Sequence, residues 1–355
     1  MVLQTGLAHE QDAVHPIIED EEGIQPGFAE EDDGVLRDTD DYEQRLKAEE
    51  VARFVENLGP VEHEERLSLL KASFGIPSEP LHHDFDYLPE CTRDQRHVGD
   101  RVWHQYYHMS SLLETDLPAM RYTQCNDPSV GQQCFHEPTP ILQIFNVKLQ
   151  TYLANVADPV EVYGIVAVRD DEDYCRNYLF NRSRGNPLDI SLTGGYLCLL
   201  SPRRGMSMRF NCLIEVDIRV KALGDDDTED KTLADGCMEL IEDRIYFEKL
   251  TTCTMSGPYG SLAFDYDIFR YGFEATIELD FLEVPEGGFG MQMWRFPQYF
   301  VAAVQMDDYF LVDFAEGKSP LIFKPTIHGS EEKEYSFHNG ALASVKVSWS
   351  TIFFC

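Results

Sequence analysis

The chain is predicted to be mainly β: an antiparallel β-sandwich-like domain with an acidic, partly helical N-terminal extension. Two observations predict this. From Ile141 onward, short alternating segments such as "ILQIFNVKL", "EVYGIVAV", "CLIEVDIRVK", "FEATIELDF", "FVAAVQM" and "ALASVKVSW" follow one another. They are rich in β-branched and aromatic residues, and Gly, Pro, Asp and Asn separate them with no helical period between. About 20 of the 63 acidic residues fall in the first 70 positions, where apolar residues are sparse.

Residues 1–37 read as an acidic disordered tail, because "IIEDEEGIQPGFAEEDDGVLRDTDD" has no sustained apolar period. Residues 38–80 read as two short helices. Asp40 with Glu43 resembles a capping box, Val51, Phe54, Val55 and Leu58 recur at helical spacing, and Gly59-Pro60 ends the run. Leu67, Leu70 and Phe74 make a second, weaker stripe. Residues 81–109 are a connector, and "RVWHQYYHMSSLLE", which crosses its end, fits a helix or a strand. Residues 110–355 form the β-rich domain. Its period is clearest in "FEATIELDF": Phe273, Ala275, Ile277 and Leu279 share one face, and Glu274, Thr276, Glu278 and Asp280 the other.

The formal net charge of −34 argues against nucleic-acid binding and against docking on an anionic bilayer, since both need clustered Lys and Arg. The nine cysteines are odd in number and form no CxxC. With no basic, apolar leader pattern at the start of the sequence and no apolar run of about 18 residues, a reduced, intracellular and cytoplasmic protein is expected. The sequon Asn181-Arg182-Ser183 is expected to stay unmodified there.

Four constellations bear on chemistry. Asp170, Asp171, Glu172 and Asp173 follow an apolar strand, and Asp225, Asp226, Asp227, Glu229 and Asp230 make a second acidic loop. Together at one end of a sandwich they would offer oxygens to calcium. Alternating strand directions place them at opposite ends, so two solvated turns are expected. His104 and His108 stand four apart, but Gln105 occupies the position of the water-activating Glu of HExxH, and no metal ligand set emerges. There is no GxSxG, P-loop or GxGxxG, and "GGFGMQMW" lies between strands. Paired carboxylates for glycoside hydrolysis cannot be chosen among 63 acids by position alone. No catalytic, cofactor or metal residue is therefore assigned. One candidate surface remains: Arg169, Arg176, Asn177, Arg182, Arg184, Arg203 and Arg204, whose forked guanidinium groups suit bidentate contact with an anion or a protein partner.

"MRYTQC", "LQIFNVKL", "VEVYGIVAVRDDEDYCRNYLFNRSRGNP", "LCLLSPRRG" and "IEVDIRVKA…EDKTLA" occur in that order. The string resembles the plant domain family of unknown function numbered 6598, which is expanded in grasses, over roughly residues 110–350. The resemblance implies a β-rich domain without an established activity. Some members are similar to, or fused with, ribosome-inactivating rRNA N-glycosidases, which implies a stress or defence setting. Those enzymes carry Glu-Ala-Ala-Arg on a helix. The nearest string here, Glu274-Ala275-Thr276-Ile277, lacks the Arg and reads as strand. The family's "LTGPxRG" is "LLSPRRG" here. The function expected is a non-enzymatic binding module for a protein partner or small anionic ligand, with hydrolysis of glycosidic or rRNA N-glycosidic bonds as the alternative.

Overall fold

The computed structural model describes residues 2–5, 81–83, 107, 111–124, 136–153, 158–224, 227–241, 247–284, 299–314 and 318–352, the first two segments as backbone alone. No helix occurs among the described residues. The strands are β1 (Val2–Thr5), β2 (Leu81–His83), β3 (Thr139–Thr151), β4 (Val160–Arg169), β5 (Asn177–Arg182), β6 (Leu188–Ile190), β7 (Gly195–Tyr196), β8 (Met206–Ser207) and β9 (Cys212–Val220). They continue with β10 (Lys231–Leu240), β11 (Thr251–Ser256), β12 (Gly260–Glu283), β13 (Phe300–Gln305), β14 (Phe310–Asp313), β15 (Leu321–Phe323), β16 (Gly329–Ser336) and β17 (Leu342–Ser350). The expected tail of residues 1–37 lies outside the described residues, save Val2–Thr5, which pairs with β14. The two helices expected over 38–80 also lie outside them, as do His104, His108, Asp225 and Asp226.

One sheet orders β10-β9-β4-β5, with β6 beside β4. A larger one orders β16-β17-β12-β11-β2, with β3 and β13 also on β12. A third orders β1-β14-β15. The ladders are antiparallel, apart from β2 beside β11.

The segments "SLAFDYDIF" and "FEATIELDF", which read as two strands, are one strand, β12, of 24 residues. Its first half pairs with β3 and β11, its second with β13 and β17. The exchange occurs at a register shift between Phe269 and Gly272. A Cβ on Gly272 would fall 2.0 Å from Ile141 Cγ2, so only glycine lets β3 approach there. Two apolar cores follow from the exchange. In the first, Val162, Val166, Ile214, Val216 and Ile218 of the five-stranded sheet join Leu149, Leu262, Phe264 and Ile268 of the larger one. In the second, Trp349 stands edge-on to Phe273 and Phe310 at centroid distances of 5.9 and 5.8 Å. Aromatic pairs prefer that geometry, because the positive ring edge meets the negative ring face.

The side-chain alternation of a regular strand breaks in β5 at Leu179. Val166 pairs with Phe180 and Ala167 with Tyr178, so Leu179 is the extra residue of a bulge. Leu179 and Phe180 are therefore both buried in the first core, where a regular strand would have put them on opposite faces.

Candidate functional site

The acidic turn Asp170–Asp173 was expected in solvent and is not there. Strand β4 delivers it beneath segments from distant parts of the chain, where three of the carboxylates accept hydrogen bonds and Asp171 is held by an ion pair alone. Asp170, 1% exposed, takes both terminal nitrogens of Arg204 at 2.7 Å and the amide of Ser207 at 2.8 Å. Arg209 approaches Asp171 at 3.5 Å, and Arg121 donates to Glu172 at 2.8 Å. The Thr115 hydroxyl donates to Asp173 at 2.6 Å, and the Cys175 amide does so at 3.1 Å. Burial pushes the Glu172 carboxyl upward against its pairing with Arg121. At Asp173 burial also pushes upward, but the bonds from Thr115 and Cys175 outweigh it and hold the group below its ordinary value. A turn of four acids can be buried only because cations and hydroxyls neutralise it in place.

Beside it lies a second buried node. On β9 the side chains alternate, so Ile214, Val216 and Ile218 face the first core while Glu215 faces the other way. Glu215 is fully buried there. Its Oε2 accepts from Arg169 Nε and Arg176 Nε, each at 2.9 Å, and Arg176 also donates to Oε1. Arg169 spends its remaining donors on the carbonyls of Tyr174 at 2.6 Å and Ser111 at 2.7 Å. Asn177 completes the cluster, donating to the Arg204 carbonyl at 2.9 Å and accepting from the Arg203 amide at 2.8 Å.

Five of the seven residues singled out in the sequence thus gather at one end of β4. There Arg169, Arg176, Asn177 and Arg204 are buried, and the Arg203 side chain is exposed. Arg182 pairs with Gly164, about 17 Å along β4 from Arg169 by strand rise, and Arg184 lies beyond it, towards the other end. Arg182 reaches the Pro187 carbonyl at 3.4 Å. Arg184 holds Asp230 through Nε at 2.8 Å, and Tyr163 and the Ala222 amide donate to the same carboxylate. Burial alone would raise Asp230, but these donors bring it down to about 2. The two acidic loops therefore sit at opposite ends of the sheet, as strand direction implied. No group of three or more metal-ligating side chains occurs among the described residues.

Two features escaped sequence reasoning. The first is Glu274. The face opposite Phe273 is also covered at this point, so Glu274 is 2% exposed. The amides of Met120 and Gly205 each donate to it at 2.6 Å, on different oxygens. Burial pushes its carboxyl up, against those two bonds and nearby Arg121 and Arg204. A charged residue beginning a strand alternation was the available signal. The second is a cavity of ≈ 260 Å³ under the β13–β14 turn, lined by Phe273, Met306, Asp308, Tyr309, Lys324 and Ile327 among others. Asp307 in that turn has φ 72°, a left-handed value uncommon for a residue with a side chain. Its signal was the polar pair in "QMDDYF".

One buried acid makes stability depend on pH. Asp267 accepts from the Lys249 amide at 2.8 Å and the Ile268 amide at 2.7 Å, yet burial still pushes its carboxyl up to about 7. Its folded value exceeds the ordinary unfolded value of about 3.9, so the folded state holds the proton longer. Its contribution to stability is complete below about pH 4 and is lost as pH rises towards 7. Asp267→Asn keeps the acceptor and removes the charge. The unfolding midpoint of this variant is expected to match the parent at pH 4 and to exceed it at pH 8. Equal midpoints at both pH values would place the titration elsewhere.

A family model described as a domain of unknown function (DUF6598) matches residues 141–332. No curated protein matches the chain. Solved structures that match include human GIVD cytosolic phospholipase A2 in complex with methyl gamma-linolenyl fluorophosphonate inhibitor and terbium chloride, at 11% identity, 60% of this chain, 33% of that chain and TM-score 0.24. Another structure of human GIVD cytosolic phospholipase A2 matches at 12% identity, 61% of this chain, 31% of that chain and TM-score 0.22. The chain spans about a third of the length of those structures, and likenesses at such scores carry no argument. The family match covers more than half of the chain, from the first strand of the first core into β16, and the chain belongs to the DUF6598 family of unknown function.

Proposed function

We propose that the chain is a non-enzymatic β-sandwich interaction module of a plant family with a stress or defence role. One observation carries the reading. The densest charged groups are spent on one another: Glu215 on Arg169 and Arg176, Asp170 on Arg204, and Asp230 on Arg184. Guanidinium forks committed to internal carboxylates hold loops in place. Arg203 alone of the seven candidates presents an exposed side chain, and it is the one best placed to contact a protein partner or small anionic ligand. A reducing, intracellular setting accords with Cys175, Cys198, Cys212 and Cys253 being free thiols. Burial pushes the Cys212 and Cys253 thiols upward, away from the reactive thiolate.

The competing reading is hydrolysis of an rRNA N-glycosidic bond. Its acid would be Glu274, whose two oxygens already accept backbone amides inside the fold. A catalytic acid must reach the bond it acts on. The test is to incubate the protein with plant or yeast ribosomes and treat the extracted RNA with aniline, which cleaves at abasic sites. Intact RNA is expected. A discrete aniline-dependent fragment that disappears in Glu274→Ala would overturn the non-enzymatic reading.

A further inference from the structure

The large sheet carries a second concentration of chemistry on its outer face, composed of tyrosines and Lys148, with Lys231 at its edge contributed by β10 of the five-stranded sheet. Tyr152, Tyr196 and Tyr259 are 57%, 56% and 38% exposed. Their positions are set by the ladder. Val147 and Leu149 of β3 face the first core, so Lys148 and Gln150 face outward, and Tyr152 continues that alternation past the strand end. Tyr196 pairs directly with Lys148. The Tyr152 amide donates to the Tyr259 carbonyl at 2.8 Å, which sets these two residues side by side on neighbouring segments. The Tyr152 hydroxyl donates to Ser261 Oγ at 2.9 Å, pinning its ring. At the far side Lys231 Nζ stands 5.4 Å from the centroid of the Tyr259 ring. Lys148 and Lys231 have no carboxylate partner among the described residues. In a chain with 63 acidic residues against 29 basic ones, that leaves two cations open to an external anion.

The geometry points to an anionic oligosaccharide lying across this face, with sugar rings on the tyrosines and its charged groups on Lys148 and Lys231. The inference rests on the reading of the chain as a non-enzymatic binding module and names its ligand. A tyrosine ring has a negative face, which attracts the C–H face of a pyranose, while Gln150 and the phenols offer hydrogen bonds to hydroxyls. Lys148 and Tyr152 are about 13 Å apart by strand rise, so the ligand must be longer than one ring. One charge per sugar suits two lysines. Duplex nucleic acid, with one charge per about 1.7 Å, is opposed by the protein's net −34 more strongly than an oligosaccharide a few sugars long.

The probes are galacturonate oligomers of three to six sugars, heparin oligomers of similar length and neutral cellohexaose, titrated calorimetrically into the full chain. Binding of one or both anionic series but not cellohexaose is expected, and their ranking separates carboxylate from sulfate. Tyr152→Ala and Tyr259→Ala should each weaken binding about tenfold. Lys148→Glu with Lys231→Glu should abolish it, while Tyr152→Phe keeps the ring and most of the affinity. An unchanged unfolding midpoint for each variant shows that the fold is intact. No binding by the folded parent, equal binding of cellohexaose, or binding insensitive to all four substitutions would overturn the saccharide face. New reducing ends released from a bound oligomer would keep the face and overturn the non-enzymatic reading instead.

Discussion

Replacing Glu215 with Ala is expected to cost about 3–5 kcal/mol of folding stability, because it strands two guanidinium groups. Arg169 and Arg176 both bond to this one carboxylate, and Glu215 and Arg169 have no solvent exposure at their side chains. Water cannot replace the lost charge without opening the segment that carries Ser111 and the turn that carries Tyr174, whose carbonyls hold the rest of Arg169. Urea unfolding of the variant and the parent at neutral pH measures the difference. The effect should collapse when the cations are removed as well: Glu215→Ala combined with Arg169→Met and Arg176→Met should recover much of the loss, since apolar replacements of a buried ionic group are often neutral. A single-variant loss below about 1 kcal/mol, the size of a surface pair, would mean that the node is hydrated.

Gly164→Ala should cost a similar amount for a different reason. Gly164 lies in the middle of β4 at φ 127°, where an L-residue is strained. A Cβ there would stand 1.9 Å from the carbonyl oxygen of Asp217 on β9. The obstacle is backbone rather than a side chain that can rotate, so β4 and β9 must separate locally. Strain of about 1–3 kcal/mol from the dihedral and as much again from overpacking predicts a loss of about 2–6 kcal/mol. The same substitution at Gly340, whose φ is 85° but whose Cβ would meet nothing within 4 Å, isolates the dihedral part and should cost less. Equal midpoints for the two variants in thermal unfolding would refute the role given to the Asp217 contact.

Much of the strand content was legible, because a strand's side-chain period is a local property. "CLIEVDIRVK" and "EVYGIVAV" appear as β9 and β4, and the opposite placement of the two acidic loops followed from strand direction. The merging of two segments into β12 was not legible, since it depends on which neighbours each half meets. Nor was the bulge at Leu179, which is a property of the β4–β5 pair rather than of either strand. The anion-binding candidates were chosen by proximity in sequence, and the sheet divided them between its two ends.

By itself, the sequence determined the mainly β, antiparallel character of the described residues, the strong acidity and the residues rich in hydrogen-bonding capacity. The tertiary structure decided which charges lie in water. Asp170 meets Arg204 across 34 residues, and Glu274 meets the amide of Met120 across 154. Whether an acid is a solvated turn or a buried anchor depends on desolvation, and desolvation is set by whatever the rest of the chain lays over it.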